Sequence, residues 1–423
     1  MGPVAADNGL MATQLEFGSS QPEPSDAASD LFISRQPVVD GQMRVTGYRV
    51  AYANADGSDH GEGTAARLLG DVLSGVGLDE LVGDSLAHLP LSRELLLALG
   101  VPPVRPDRVL LRIAHDTARD TEVAGVLDAL TGRGYALSLH TPDGPEFDAV
   151  LLETFGTIEI ELRAWSPEDA ARAVSRIRAA RAMPLASGLI DYTEFEQAKA
   201  LGFELFSGPF YASRHKAAVR KIPTGEMGTL VALAALQGGS ATIEELEQVI
   251  DRDVGLSVKL LRYINSAYIG LRGSISSIRQ AVMMLGSRGV SRWALLVALT
   301  GGPNAPRELS VMGLTRARMC ELLGADLRDV AGDQLFTVGL LSVADALLQV
   351  PLETIVEELP LADEVTSALL RRDGPAGAIL KVVVSYEQGD FDVATLQSHT
   401  PRIASSYRDA LGWAVETVSS LAA

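Results

Sequence analysis

The 423-residue sequence predicts an α/β domain built on a parallel sheet, followed by an all-α domain. Short apolar runs alternate with longer helical patterns from Leu31 to about Ala212, which is typical of strands joined by helical crossovers. Beyond Pro223 nearly every segment has helical periodicity alone. A closed barrel of eight such units takes about 250 residues, with about 200 near the minimum. The first domain therefore fits a slightly trimmed barrel, and an open doubly wound sheet remains an alternative on pattern alone.

The first 30 residues predict a disordered acidic tail. They contain five acidic residues, three prolines and neither lysine nor arginine. Such a segment buries too little apolar surface to offset the entropy lost on ordering. We therefore place the start of the folded chain at Leu31.

Eight strands and four helices are predicted over residues 31–212. Each strand is a short apolar run, and each helix shows apolar residues on one face. The predicted strands are Leu31–Val39, Val45–Tyr52, Leu86–Leu91, Arg108–Ile113, Tyr135–His140, Thr157–Leu162, Met183–Leu185 and Phe203–Phe206, and the predicted helices are Ala65–Leu73, Ala118–Thr131, Pro167–Arg181 and Thr193–Ala200.

A basic segment separates the two domains. Residues 213–222 include Arg214, His215 and Lys216 in an otherwise acidic chain and are followed by Pro223. We interpret them as a linker, which assigns residues 31–212 to the barrel and 223–423 to the helical domain.

Helix signals are clear in the second domain. Thr242 and Glu245 form a predicted capping box, in which each side chain bonds a free backbone N–H group of the other residue. Ser277 and Gln280 form another, and Gly286 is predicted to end that helix.

The composition restricts the partner and the compartment. The formal net charge is −18, from 54 acidic and 36 basic residues, so a nucleic-acid backbone is not an expected partner. Cys320 is the only cysteine, which indicates a reducing, cytoplasmic location. No apolar run reaches the roughly 18 residues of a spanning helix, so no membrane contact is expected.

Two segments carry a resemblance for the first domain. Residues 32–40, Phe-Ile-Ser-Arg-Gln-Pro-Val-Val-Asp, precede Gly47-Tyr-Arg-Val-Ala51, and Leu185–Asp191 and Gly202–Gly208 follow at the other end. They resemble the EAL domain, a TIM-like barrel that hydrolyses cyclic di-GMP. The resemblance implies divalent metals held by acidic and amide oxygens, which activate a water for attack on phosphorus.

The resemblance also implies that the metal and catalytic positions are lost. The motif glutamate and leucine are Arg49 and Ala51, and the nucleotide-binding arginine is Ala53. The lysine position is Glu159, and arginine replaces a glutamate at residue 112, which reverses the charge of a metal site. We therefore predict a degenerate domain without catalysis, metal or cofactor, in which the changed positions are Arg49, Ala51, Ala53, Pro90, Arg112, His140, Thr141, Glu159, Ser187 and Ser207.

A second resemblance covers about residues 220–415. Lys259-Leu-Leu-Arg-Tyr-Ile-Asn-Ser-Ala267 and Ser276-Ser-Ile-Arg-Gln-Ala281 are similar to the HDOD family, which is related to HD-type phosphohydrolases without their metal ligands. Ser342 and Val343 stand where the HD dyad would be, and residues 216–398 contain no histidine. The resemblance implies contacts with a partner through Asn265, Ser266, Arg279 and Gln280.

The whole arrangement resembles the EAL–HDOD proteins of bacterial signalling. We predict a cytoplasmic regulatory scaffold that is not an enzyme and acts through protein–protein interaction, with a partner of unknown identity and a homodimer as one option. Binding of cyclic di-GMP is not expected, since most nucleotide contacts are replaced. The alternatives are a sensor that binds cyclic di-GMP or a related nucleotide without hydrolysis, and a residual phosphodiesterase.

Overall fold

The structure is a computed structural model that describes residues 31–54, 78–141, 149–214, 224–235, 242–251, 254–265, 275–300, 306–327, 330–391 and 400–422. The predicted tail, residues 1–30, and the predicted helix Ala65–Leu73 lie outside the described residues, as does most of the predicted linker. The predicted domain boundaries stay predictions.

Eight strands close into a barrel in chain order, β1 to β8. This confirms the barrel and removes the alternative of an open sheet. The strands are β1 (Leu31–Asp40), β2 (Val45–Asn54), β3 (Leu86–Leu91), β4 (Val109–Ala114), β5 (Ala136–Thr141), β6 (Thr157–Glu161), β7 (Met183–Ser187) and β8 (Leu205–Ser207).

The sheet is not parallel throughout, and the prediction of a parallel sheet is wrong at β1. This strand pairs antiparallel with β2 on one side and with β8 on the other, while β2 through β8 are parallel. The reason is the short connection between Asp40 and Val45, because a parallel pair needs a crossover of a dozen or more residues.

Helices cover the outside of the barrel and bury their apolar faces on it. In the helix 167–179, Ser166 caps the start by accepting from the backbone N–H of Asp169, and Ala170, Ala173, Val174 and Ile177 are buried. The barrel helices are α1 (Leu78–Val82), α2 (Arg93–Leu99), α3 (His115–Ala118), α4 (Thr121–Gly132), α5 (Ala149–Thr154), α6 (Pro167–Ala179) and α7 (Tyr192–Leu201).

The second domain is helical throughout its described residues. The predicted capping box of Thr242 and Glu245 is present, and the backbone at Gly286 leaves the helical region with φ 76°. The helices are α8 (Thr224–Ala235), α9 (Ile243–Ile250), α10 (Val254–Ile264), α11 (Ile278–Thr300), α12 (Arg307–Leu323), α13 (Gly332–Leu341), α14 (Ala344–Leu348), α15 (Leu352–Glu358), α16 (Asp363–Arg371), α17 (Gly374–Glu387) and α18 (Thr400–Ala422).

The described helices include no single one that is both long and apolar enough to cross a membrane. One bent pair, residues 278–287 and 289–300 with 112° between its halves, meets the criteria of length and composition.

The helical domain packs directly on β1. Among the described residues, this strand pairs with β8 at Val38–Asp40. The backbone N–H groups that point to the same edge from the first half of β1 therefore need other acceptors. The hydroxyls of Tyr386 and Tyr407 accept from the N–H groups of Ile33 and Arg35, at 3.0 and 3.2 Å. Two helices of the second domain thus complete the edge of a barrel strand.

Candidate functional site

Three charged side chains meet inside the barrel, at the level of the middle of β2. Glu159 on β6 accepts from Arg112 on β4, at 2.5 Å to Nε and 3.1 Å to Nη2. Arg49 on β2 approaches the same carboxylate at 3.5 Å, and so does His140 on β5. We call Arg49, Arg112 and Glu159 the arginine cluster. It gathers, at one point, three of the positions at which the sequence departs from the EAL pattern.

Charge balance within this cluster keeps Glu159 ionised. Its side chain is only 1% exposed, and burial alone would raise the pKa of the carboxyl group. The charges of Arg49 and Arg112, with His140, outweigh that effect and hold the pKa of Glu159 well below its ordinary value. The cluster contains two guanidinium groups for one carboxylate, which leaves one formal positive charge.

His88 belongs to this site and was missed by the sequence analysis. It is buried on β3 and lies in register with Arg49 on β2, so both side chains face the barrel interior. A Cβ atom on Gly47 would lie 2.8 Å from His88 Nε2, so glycine at residue 47 makes room for the ring. The sequence contained a signal for this residue: His88 lies two residues before Pro90 on the same strand, so both side chains face the same side of the sheet.

We expect His88 to make the protein sensitive to acid. Burial, together with Arg49 and Arg112 and against Glu159, lowers the pKa of His88 from 6.5 to about 4. Between those pH values the unfolded chain binds the additional proton, so the free energy of unfolding falls as the pH drops, by about 3 kcal/mol. The free energies of unfolding of the wild type and His88→Gln are measured with denaturant at pH 7 and at pH 4. Between these pH values the free energy should fall less in His88→Gln than in the wild type, by about 3 kcal/mol. An equal fall in both proteins would contradict this assignment.

The other predicted positions line the same barrel. Thr141 Oγ1 donates to the carbonyl oxygen of Glu159 at 3.0 Å, and the carbonyl of Pro90 accepts from Tyr52. Ser187 Oγ lies 3.4 Å from the carbonyl oxygen of Ile160. Ala51 is opposite Ser34, Ser207 is opposite Val38, and Ala53 is opposite Phe32, although the side chain of Ala53 is outside the described part.

We call the part of the barrel interior around Arg49, Arg112 and Glu159 the barrel mouth. The described residues of the barrel mouth do not fit a divalent metal ion. Both oxygens of Glu159 face guanidinium groups, and the described residues contain no cluster of three histidine, cysteine or acidic side chains that could hold an ion. A guanidinium beside a carboxylate supplies the positive charge that a cation would otherwise bring.

The candidate contact residues of the helical domain have structural roles. Asn265 bonds the backbone of Leu261 and Ile275, and Arg279 pairs with Glu244 and Glu247. Gln280 accepts from Ser276 N and Oγ, and Ser266 lies outside the described residues. These contacts fix the local fold and neither support nor contradict a partner surface.

A buried ion pair lies at the position of the HD dyad. Ser342 Oγ accepts from Arg316 Nη1 at 3.2 Å, and Arg316 Nε donates to Glu387 Oε2 at 2.7 Å.

Comparison with known proteins identifies the second domain. Residues 229–359 match the family model described as the HDOD domain, inside the predicted span 223–423. Together with the closed eight-stranded barrel, this confirms the predicted fold class, an α/β barrel followed by a helical domain that matches the HDOD family.

Two curated relatives align along most of the chain. Cyclic di-GMP phosphodiesterase CdgJ of Vibrio cholerae is 26% identical over 379 residues, which cover 86% of this chain and 87% of that protein. The uncharacterized protein YuxH of Bacillus subtilis is 24% identical over 400 residues, which cover 90% and 98%.

The name of the first relative contradicts the prediction that the chain is not an enzyme, and that prediction is wrong on this evidence. It rested on the changed positions of the EAL pattern and on the missing HD dyad.

Solved structures of other proteins align with part of the chain. BlrP1 of Klebsiella pneumoniae, in a complex with calcium and cyclic di-GMP, is 17% identical with a TM-score of 0.36, over 42% of this chain and 54% of that one. The S helix-GGDEF-EAL structure of Vibrio cholerae LapD is 9% identical with a TM-score of 0.34, over 43% and 53%. The chain thus spans about half the length of these structures.

Proposed function

We propose that this chain is a regulatory protein of cyclic di-GMP signalling that binds the nucleotide through arginine at the barrel mouth. In this proposal the HDOD domain transmits the bound state to a protein partner. The proposal departs from the expectation that cyclic di-GMP does not bind, because Arg49 and Arg112 converge inside the barrel. A cytoplasmic location is part of the proposal and rests on the single cysteine, which is buried.

The hydrogen-bond donors of Arg49, which form no hydrogen bond to any described residue, are the observation that carries the proposal. A guanidinium group has five N–H donors in a planar fork that matches the oxygens of a phosphate. Within the described part of the chain, Arg49 forms an ion pair at 3.5 Å but no hydrogen bond, and its side chain is 25% exposed. Donors in a partly buried position without an acceptor favour an anionic ligand.

Further polar groups of the barrel interior support a polar ligand. The hydroxyls of Ser34, Ser138 and Ser207 are buried and have no hydrogen-bond partner among the described residues. Gln36 lies directly opposite Arg49 on the neighbouring strand. Since cross-strand neighbours share a face of the sheet, its amide can reach a ligand bound at Arg49.

Calorimetric titration of the full chain with cyclic di-GMP, with magnesium present, tests the proposal. Saturable heat is expected, and its absence at millimolar nucleotide would refute the proposal. The products of the same titration are then separated and identified. Hydrolysis is the second candidate function, which the name of the Vibrio cholerae relative favours, and a linear dinucleotide among the products would establish it.

Arg49→Gln should weaken binding of cyclic di-GMP about 10- to 100-fold, because a hydrogen bond to a charged group contributes about 1.5–3 kcal/mol. Glu159 keeps its two bonds to Arg112, so the fold should persist. Arg44→Gln is the matched control on the same hairpin, since the Arg44 side chain is 75% exposed and contacts Asp40 and Gln42 of the adjoining turn. Equal dissociation constants for the two variants would place the ligand away from Arg49.

A further inference from the structure

Residues 388–391, the turn that follows helix α17, lie against the two barrel strands that carry Gln36 and Arg49. We call this segment the cover turn. The carbonyl of Gln388 accepts from Gln36 Nε2 at 2.6 Å. The rings of Phe391 and Phe32 pack with centroids 5.7 Å apart. A loop of the HDOD domain thus binds the first half of β1.

The cover turn contacts the face of the sheet that points into the barrel. Side chains alternate along a strand, so Phe32, Ser34 and Gln36 share one face of β1. Gln36 is opposite Arg49 and Ser34 is opposite Ala51. Because Arg49 reaches Glu159 on the far side of the barrel, this face is the interior one. The cover turn therefore lies over the β1–β2 side of the mouth.

Gly389 allows this close approach. Its backbone has φ 73°, and a Cβ atom there would lie 2.7 Å from Ala51 Cβ and 3.6 Å from Ser34 Oγ. Any other residue at 389 would meet both backbone strain and a clash with a short, rigid side chain. The contact between turn and barrel depends on the absence of a side chain at this position.

The anchors of the cover turn are buried. Tyr386, immediately before it, bonds the N–H of Ile33, and its ring packs on Phe32, Phe391 and Tyr407. Separation of the turn from the barrel would leave backbone donors of β1 without these acceptors. The docked state is thus held by several contacts.

We propose that the cover turn is an autoinhibitory contact that competes with nucleotide for the barrel mouth. The proposal rests on the proposed function, namely a nucleotide phosphate at Arg49 with Gln36 beside it. In the docked state the Gln36 amide is bonded to the Gln388 carbonyl, and the turn lies where the rest of a dinucleotide would extend. Because linkage is reciprocal, nucleotide should release the turn and release should strengthen nucleotide binding.

Gly389→Ala in the full chain tests the competition, with Gly374→Ala as the matched control. Gly374 has nearly the same backbone conformation, φ 72°, but nothing lies within 4 Å of a Cβ atom built there. Hydrogen exchange of a peptide covering residues 31–36 reports docking, and calorimetry with cyclic di-GMP reports binding. Gly389→Ala should exchange faster in this peptide, at Ile33, and bind at least about fivefold more tightly, whereas Gly374→Ala should match the wild type in both.

Tyr386→Phe provides a second way to loosen the contact if Gly389→Ala does not fold. It removes one hydroxyl, keeps the ring, and should change exchange and affinity in the same directions. Faster exchange with an unchanged dissociation constant would refute the autoinhibitory contact and leave the proposed function intact. Absence of heat from every protein, including the opened variants, would refute the proposed function and this inference with it.

Discussion

Glu159→Leu is expected to lower the free energy of unfolding by about 3–5 kcal/mol, because it leaves two neighbouring guanidinium groups without their shared carboxylate. Glu159 is 1% exposed and accepts both bonds from Arg112. Its loss brings the positive charges of Arg49 and Arg112 into direct repulsion in a partly buried place. Denaturant unfolding of wild type and variant at pH 7 measures the difference.

The triple variant Arg49→Met, Arg112→Met and Glu159→Leu separates stability from function. Replacing a whole buried ion cluster by apolar residues of similar volume is often neutral, so most of the lost stability should return. Binding of cyclic di-GMP should be lost in the triple variant, because the guanidinium donors for phosphate are gone. If Glu159→Leu alone lowers the free energy of unfolding by less than about 1 kcal/mol, the arginine cluster is solvated and Glu159 is not needed to balance the charges of Arg49 and Arg112.

The sequence predicted the strands well because apolar alternation and turn residues are local signals. The predicted and observed limits of β2 to β4 differ by at most two residues. Direction is not a local property, and β1 was assigned to a parallel sheet although its connection to β2 is too short for a crossover. Loop length between Asp40 and Val45, rather than periodicity, held that information.

The candidate site was predicted as single positions and not as an arrangement. Arg49, Arg112 and Glu159 were each identified as a departure from the EAL pattern, and the inference from them was loss of function. Their mutual contact depends on strand register across the barrel, which a single sequence does not specify. Among the described residues Arg49 forms an ion pair but no hydrogen bond, and nucleotide binding through this arginine is therefore our proposal.

Contacts between the domains were beyond the reach of sequence analysis. Arg35 and Glu308 are separated by 273 positions, yet they form an ion pair at 3.1 Å with both side chains about 5% exposed. The second oxygen of Glu308 accepts from the hydroxyl of Tyr48 at 2.7 Å, and the guanidinium of Arg35 lies 4.1 Å from the Tyr48 ring centroid. Burial alone would lower the pKa of Arg35, but Glu308 reverses this and raises it. Each domain thus supplies one charge of this buried pair.

Glu308→Leu should therefore destabilise the protein by about 3–5 kcal/mol and loosen the domains, because Arg35 stays buried without its counter-ion. Denaturant unfolding gives the energy, and faster proteolysis between the domains reports the loosening. Asp107→Leu is the matched control: it removes the carboxylate of an exposed pair with Arg105, in which the Arg105 and Asp107 side chains are 73% and 63% exposed, and the free energy of unfolding should change far less than in Glu308→Leu. The double variant Arg35→Met and Glu308→Leu should recover most of the loss, since no uncompensated charge remains. Equal losses in Glu308→Leu and Asp107→Leu would show that the interdomain pair is hydrated and that the domains are held mainly by the aromatic contacts of Phe32 and Tyr386.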